Sequence, residues 1–361
     1  MTPVKLDGKS VRIIFRQTEG TSLKLQPAPP KGADAGKVAL PALIVITRGT
    51  LELTNAVLEG SANLKTAPEW LIQATDATVI LNGCRLLGPE TDGSRQVGLI
   101  RWITAVPGEP AAEQPPALVI RECLLAGPGC GIRAECGQGP LIFRNTVIAV
   151  RGDAIDLRPL RTGNALLPVL DAENLTVSAT NAVIRFEAAP GKDPIETPMR
   201  LFLERCVFAP PLAFKAGEAS AATLLLGVGP AIEQRQVEWW GASNGVARQV
   251  VHLIRRDGDG GPPSDERTGL TAWRKLWDKA GSLRMLTGDK GVYLAGELPV
   301  RWRDLKPTSF TIHRNAQAAS WGDGGRSIGA NTQSVEEASV AKRGDANKPN
   351  IPTQTKKNVG F

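Results

Sequence analysis

One pattern of apolar and polar positions recurs along the first two thirds of the chain. Leu51-Glu-Leu53-Thr-Asn55-Ala-Val-Leu58 aligns with Val79-Ile-Leu81-Asn-Gly83-Cys-Arg-Leu86 and with Leu118-Val-Ile120-Arg-Glu122-Cys-Leu-Leu125. Three further copies begin at Leu141, Leu170 and Leu201, so that successive starts lie 28, 39, 23, 29 and 31 residues apart. The first column (Leu51, Val79, Leu118, Leu141, Leu170, Leu201), the third (Leu53, Leu81, Ile120, Phe143, Ala172, Leu203) and the eighth (Leu58, Leu86, Leu125, Ile148, Val177, Phe208) are apolar in every copy. Apolar residues two apart predict a strand with one buried face. The polar pair after it predicts a bend, and the eighth position a second strand. Asn55, Asn145 and Asn174 stand at the bend, where asparagine tolerates a left-handed backbone and bonds its own chain.

A strand, a corner, another strand and a connection of variable length, repeated about every 30 residues, predict a coil of a β-solenoid. Val11–Phe15 resembles an opening coil and Val237–Trp240 a late one. In the sixth column, Cys84, Cys123 and Cys206 stand with Ala56 and Thr146. Small residues there predict a buried stack of reduced thiols. The fourth column, Thr54, Asn82, Arg121, Arg144, Glu173 and Glu204, points outward as a solvated face. Arg144 can pair with Glu173 across one coil spacing, and Arg121, Arg144 and Arg85 form an alternative anion-binding strip.

This h-x-h-x-N-x-x-h coil resembles right-handed parallel β-helix proteins of the pectin-lyase-like class over residues 10–250. Asp323-Gly-Gly-Arg326-Ser-Ile328-Gly329-Ala330 is similar to the Gly-Ala motif that follows the last coils in that class. More loosely, the pattern resembles β-helix regions attached to large bacterial serine/threonine kinases, although Ile312-His313-Arg314-Asn315 lacks the aspartate of a catalytic loop. The resemblance implies an all-β fold: a single-stranded right-handed parallel β-helix with a short C-terminal capping helix. It also implies the chemistry to look for, which is a calcium–carboxylate cluster with a basic residue in lyases, or close carboxylates in hydrolases.

Composition narrows the chemistry. The 38 glycines and 27 prolines among 361 residues exclude a helical bundle. No run approaches the ~20 apolar residues of a membrane helix. No basic-then-apolar leader opens the chain, so a cytoplasmic location is expected if Met1 is the true start. Two histidines, His252 and His313, exclude a multi-histidine metal site. Five cysteines are an odd number, which speaks against a disulfide framework. Of the net charge of +7, an excess of +4 falls in residues 341–361, and this Pro- and Gly-containing basic segment reads as a disordered tail.

Neither family constellation is visible, and the coil columns carry only isolated carboxylates. Asp153, Asp156 and Arg158, alternating along a strand, are the catalytic candidates. Asp257 and Asp259 are the candidate calcium loop, although the bidentate glutamate of such loops is missing; no metal or other cofactor is expected. Eight tryptophans against one tyrosine point elsewhere. Trp239 and Trp240, on opposite faces of one strand, are candidate ligand platforms together with Arg121 and Arg144. Thr271–Gly281 reads as a short amphipathic helix with Trp273 and Trp277 on one face, suited to plug an open solenoid end. The segment 286–330 is expected to return along the side of the coils.

The expected organisation is coils over residues 1–255, a Gly/Pro/Asp loop at 256–268, a capping helix and irregular segment at 269–335, and a tail at 336–361. The expected function is a non-catalytic binding or scaffold module, with carbohydrate as its expected ligand and a larger multidomain protein as its expected context. The alternative is a polysaccharide lyase, hydrolase or epimerase acting on an extended acidic glycan. The expected partner is a polysaccharide or another protein, with a monomeric chain and no nucleic acid.

Overall fold

The computed structural model describes residues 4–14, 24–25, 41–60, 68–89, 97–105, 115–163, 165–191, 195–209, 222–247, 249–256, 270–277, 285–288, 294, 304–312, 314, 316, 319 and 328–339. It is predominantly β. Its strands join one hydrogen-bonded network, and every pairing between named strands is parallel.

The pairings form three ladders. The first runs through the leading halves of Val4–Ile14, Ala42–Thr54 and Trp70–Asn82, then Gly98–Thr104, Ile132–Cys136, Ile155–Pro159, Ala182–Glu187, Thr223–Val228 and Val251–Arg256. The second takes the trailing halves of the same three long strands, then Leu118–Arg121, residues 140–144, residues 169–173, Met199–Glu204 and Val237–Ala242. The third begins at Lys24–Leu25 and Val57–Glu59 and ends at Asn244–Ala247 and Met285–Gly288. The chain visits the ladders in turn and then returns to the first, one strand further on.

The repeat columns are the spatial register. Leu51 pairs with Val79, Val79 with Leu118, Leu118 with Leu141, Leu141 with Leu170, and Leu170 with Leu201. The eighth column pairs in the same way from Leu58 to Phe208. Every residue of the three apolar columns is buried, so one continuous core runs the length of the ladders. The fifth column turns the chain: Asn55, Gly83, Glu122, Asn145, Asn174 and Arg205 all have φ between 48° and 63°. The same bend recurs at Ser243, with φ 57°. There Trp239 takes the place of the first-column leucine, which is why the late copy is hard to align. Cys84, Cys123 and Cys206 are buried free thiols.

Two helices follow. Helix α1, Leu270–Trp277, buries Trp273 edge-on against Trp239, with ring centroids 5.1 Å apart, and Trp277 against Trp273 at 5.5 Å. The tryptophan helix therefore packs on the last inward residue of the second ladder. Helix α2, Thr332–Ser339, corrects the expected tail boundary, because residues 336–339 belong to it. Asn331 caps α2 by accepting from the Ser334 N–H at 3.1 Å. The helix lies along the corner column. The Asn331 N–H donates to Asn145 Oδ1, Ser334 Oγ donates to Glu122 Oε1, and the Ala338 carbonyl sits over Gly83. A helical turn rises about 5.4 Å and strands are spaced about 4.8 Å, so steps of three and four residues keep pace with successive corners. Ahead of α2, Gly329 and Ala330 bond Arg205, Asn174 and Thr176. Residues 329–338 thus lie along the corners between the second and third ladders.

Candidate functional site

Two arrangements of side chains stand out on the outer surface. The first lies on the outward face of the first ladder, where Arg101, Arg133, Asp156 and Arg185 occupy one register column. Asp156 is 1% exposed and accepts from Arg133 Nε at 2.8 Å, Arg158 Nε at 3.2 Å and Arg185 Nη1 at 2.8 Å. Glu187 Oε2 shares the same two nitrogens, 3.4 Å from Arg158 Nε and 3.1 Å from Arg185 Nη1, and Glu135 holds Arg101. The structure therefore brings two of the three catalytic candidates, Asp156 and Arg158, into contact.

The same contact removes Asp156 from catalysis. Three guanidinium groups occupy its two oxygens, so neither is open to an incoming substrate. Asp153, the third candidate, sits beside this knot with Asn181 Nδ2 donating to it at 2.6 Å. Burial, and then the charge of Asp156, push its carboxyl up to about 6. Asp153 can hold a proton near neutrality, but its neighbour is not a free second carboxylate of the kind glycosidic cleavage requires. Cys130, close by, is no nucleophile: burial and the charges of Asp156 and Asp153 push its thiol pKa up.

The second arrangement is at the last rung of the second ladder. Phe202 and Trp240 are in register on its outward face, with ring centroids 5.9 Å apart, and Phe202 is 37% exposed. Arg200 lies over the Trp240 ring at 6.0 Å, and Trp240 Nε1 donates to Glu238 Oε2 at 3.1 Å. Between this strand and α1 opens a cleft of about 340 Å³ lined by Trp240, Trp277, Leu276, Lys275, Arg235, Glu238, Ile232 and Val237.

The remaining candidates separate. Trp239 is not a ligand platform: its ring points inward, fully buried between Phe208 and Trp273. Arg144 is not a free anion binder, because Asp171 Oδ2 at 2.5 Å, the Asp171 and Phe143 carbonyls, and Glu173 at 3.6 Å hold its guanidinium. The expected Arg144–Glu173 pair is present, and with it the anion strip is neutralised at its centre; Arg121 remains exposed. Asp257, Asp259 and His313 lie outside the described residues. Among the described residues no group of three or more His, Cys, Asp or Glu side chains is placed to hold a metal ion, and no helix is long and apolar enough to cross a membrane.

Sequence reasoning missed Arg133, Arg185, Phe202, Arg235 and Lys275. The first two lie on a ladder formed from the connections between repeat copies, where no column alignment existed. Phe202 was legible, since it alternates with buried Leu201 and Leu203. No family model matches the chain, and comparison with curated proteins and with solved structures finds no significant match.

Proposed function

We propose that this chain is a single-stranded, right-handed parallel β-helix that works as a non-catalytic binding or scaffold module directed at carbohydrate. Three parallel ladders visited in a fixed order support the fold. Right-handed winding is the sense that strand twist favours for parallel connections. Such a scaffold offers a long, flat outer face with a regular spacing of about 4.8 Å.

The observation that carries the function is the exposed aromatic step Phe202–Trp240 on that face. Aromatic faces bind the apolar face of a sugar ring, and Arg200 beside them is placed to donate to its hydroxyls. The closed state of Asp156 is the second support, because it leaves the neighbouring carboxyl of Asp153 without a catalytic partner.

The test is retention on immobilised neutral and acidic polysaccharides, with and without calcium, together with assay of the supernatant for released sugar. Retention without release, lost in Phe202→Ala, is the expected result. Release of unsaturated or reducing sugar, abolished by Asp153→Asn, would establish an enzyme and overturn the proposal. Absence of retention on every polymer would leave a protein-binding scaffold and refute the carbohydrate assignment.

A further inference from the structure

Among the described residues, the free charged groups lining the terminal cleft are of one sign. Arg235 and Lys275 are exposed and have no carboxylate partner among the described residues. Trp277, 7% exposed, adds the edge of its indole ring to the lining. Guanidinium and ammonium groups donate and never accept. Glu238, the acidic side chain of the lining, is already engaged by Trp240 Nε1 and lies 3.8 Å from Arg200 Nε. The rest of the lining is apolar, with Ile232, Val237 and the exposed edge of Leu276 forming a floor between the two indoles.

We infer that the cleft is a binding site for a small organic anion with a flat apolar body, an aromatic carboxylate in chemical class. Its headgroup lies between Arg235 and Lys275. Its ring system covers the apolar floor. A sugar hydroxyl brings a donor as well as an acceptor, whereas among the described lining residues Glu238 is the acidic side chain and already accepts from Trp240 Nε1, so the two cations favour an acceptor-only headgroup. The cleft volume of about 340 Å³ lies at the small end of ligand sites and suits one or two fused rings. This site shares Trp240 with the carbohydrate proposal, but Phe202 is not part of its described lining, so the two can be tested apart.

The experiment uses the full chain, with 1-naphthoate and its neutral counterpart 1-naphthamide as probes, read by titration calorimetry and by the shift in Tm at saturation. Naphthoate is expected to bind at least about tenfold more tightly than naphthamide. Lys275→Ala and Arg235→Gln, both exposed positions, should each weaken naphthoate roughly fivefold while leaving naphthamide unchanged. Leu276→Glu, which sets a carboxylate in the floor, should abolish naphthoate binding. Unaltered circular dichroism and Tm of the free variants establish that they are folded. Equal affinity for acid and amide, binding that survives Leu276→Glu, or no saturation by ~5 mM naphthoate would each overturn the assignment. Phe202→Ala should leave naphthoate binding intact even where it removes retention on polysaccharide, which keeps the two proposals separately refutable.

Discussion

Replacing Asp153 by Asn should make the protein more stable, and by an amount that grows with pH. Asp156 takes the nearest guanidinium groups, Arg133, Arg158 and Arg185, and leaves Asp153 with one amide donor from Asn181. Burial and the Asp156 charge then raise the Asp153 carboxyl from 3.8 to about 6, while Arg185 and Arg133 pull the other way. Below about pH 4 the group is protonated in both folded and unfolded chains and costs nothing. Between about 4 and 6 the folded chain holds a proton that the unfolded chain has released, so stability falls as pH rises through this window.

Two pKa units correspond to about 3 kcal/mol. Asp153 is half-buried, so about 2 kcal/mol of that is expected to survive solvent screening. Asparagine keeps the acceptor for Asn181 and removes the charge. The assay is calorimetric melting of both proteins at constant ionic strength from pH 4 to pH 8. The Tm of Asp153→Asn should match wild type near pH 4 and exceed it by about 3 °C at pH 8, using typical unfolding entropies for a chain of this size. A difference that does not change with pH, or one in which wild type gains on the variant as pH rises, would refute the reasoning.

Asp156→Asn should cost about 2–4 kcal/mol in denaturant titrations, because Arg133, Arg158 and Arg185 lose the buried carboxylate they share and Glu187 stays with only the last two; the double variant Asp156→Leu, Arg185→Met should recover part of the loss. Glu122 holds φ 52°, a conformation glycine adopts freely, so Glu122→Gly should raise stability by about 1 kcal/mol, less the small contribution of its exposed bond to Ser334. Gly83→Val should lower the Tm and expose the end of α2 to proteolysis, since a Cβ there would lie 2.5 Å from Asn55 Oδ1 and 2.9 Å from the Ala338 carbonyl at φ 63°. Cys123→Arg should unfold the coils around it, whereas Cys123→Ala should cost no more than about 2 kcal/mol, as measured by urea denaturation.

Within the repeat, sequence and structure agree column by column. Leucine at 51, 118, 141, 170 and 201 recurs because each copy must fill the same slice of one core. A small residue recurs at 84, 123 and 206 because the chain turns there. Even the corner was legible from three asparagines, although Glu122 and Arg205 adopt its left-handed conformation without the residue type that announces it. Outside the repeat the correspondence weakens. Helix α2 went unread because Val335 is its one fully buried apolar residue, and its partners are corner groups more than 180 residues away, such as Asn145.

Local periodicity settles which residues face inward, since the alternation of a strand and the bend after it are properties of neighbours along the chain. It settles the all-β class for the same reason, and recurrence of the columns gives the register of the second and third ladders but not of the first. The fate of each charged or aromatic side chain depends on residues one coil away. Asp156 reads as a free acid until Arg133, 23 residues before it, and Arg185, 29 after it, close on it across the ladder. Trp239 and Trp240 are adjacent and chemically identical, yet one is core and the other lines a cleft, because the strand pleat sends them to opposite faces and α1 folds back over the last rung. Spacing along the chain carries no record of those encounters, which arise when coils of unequal length are brought to a common spacing of about 4.8 Å.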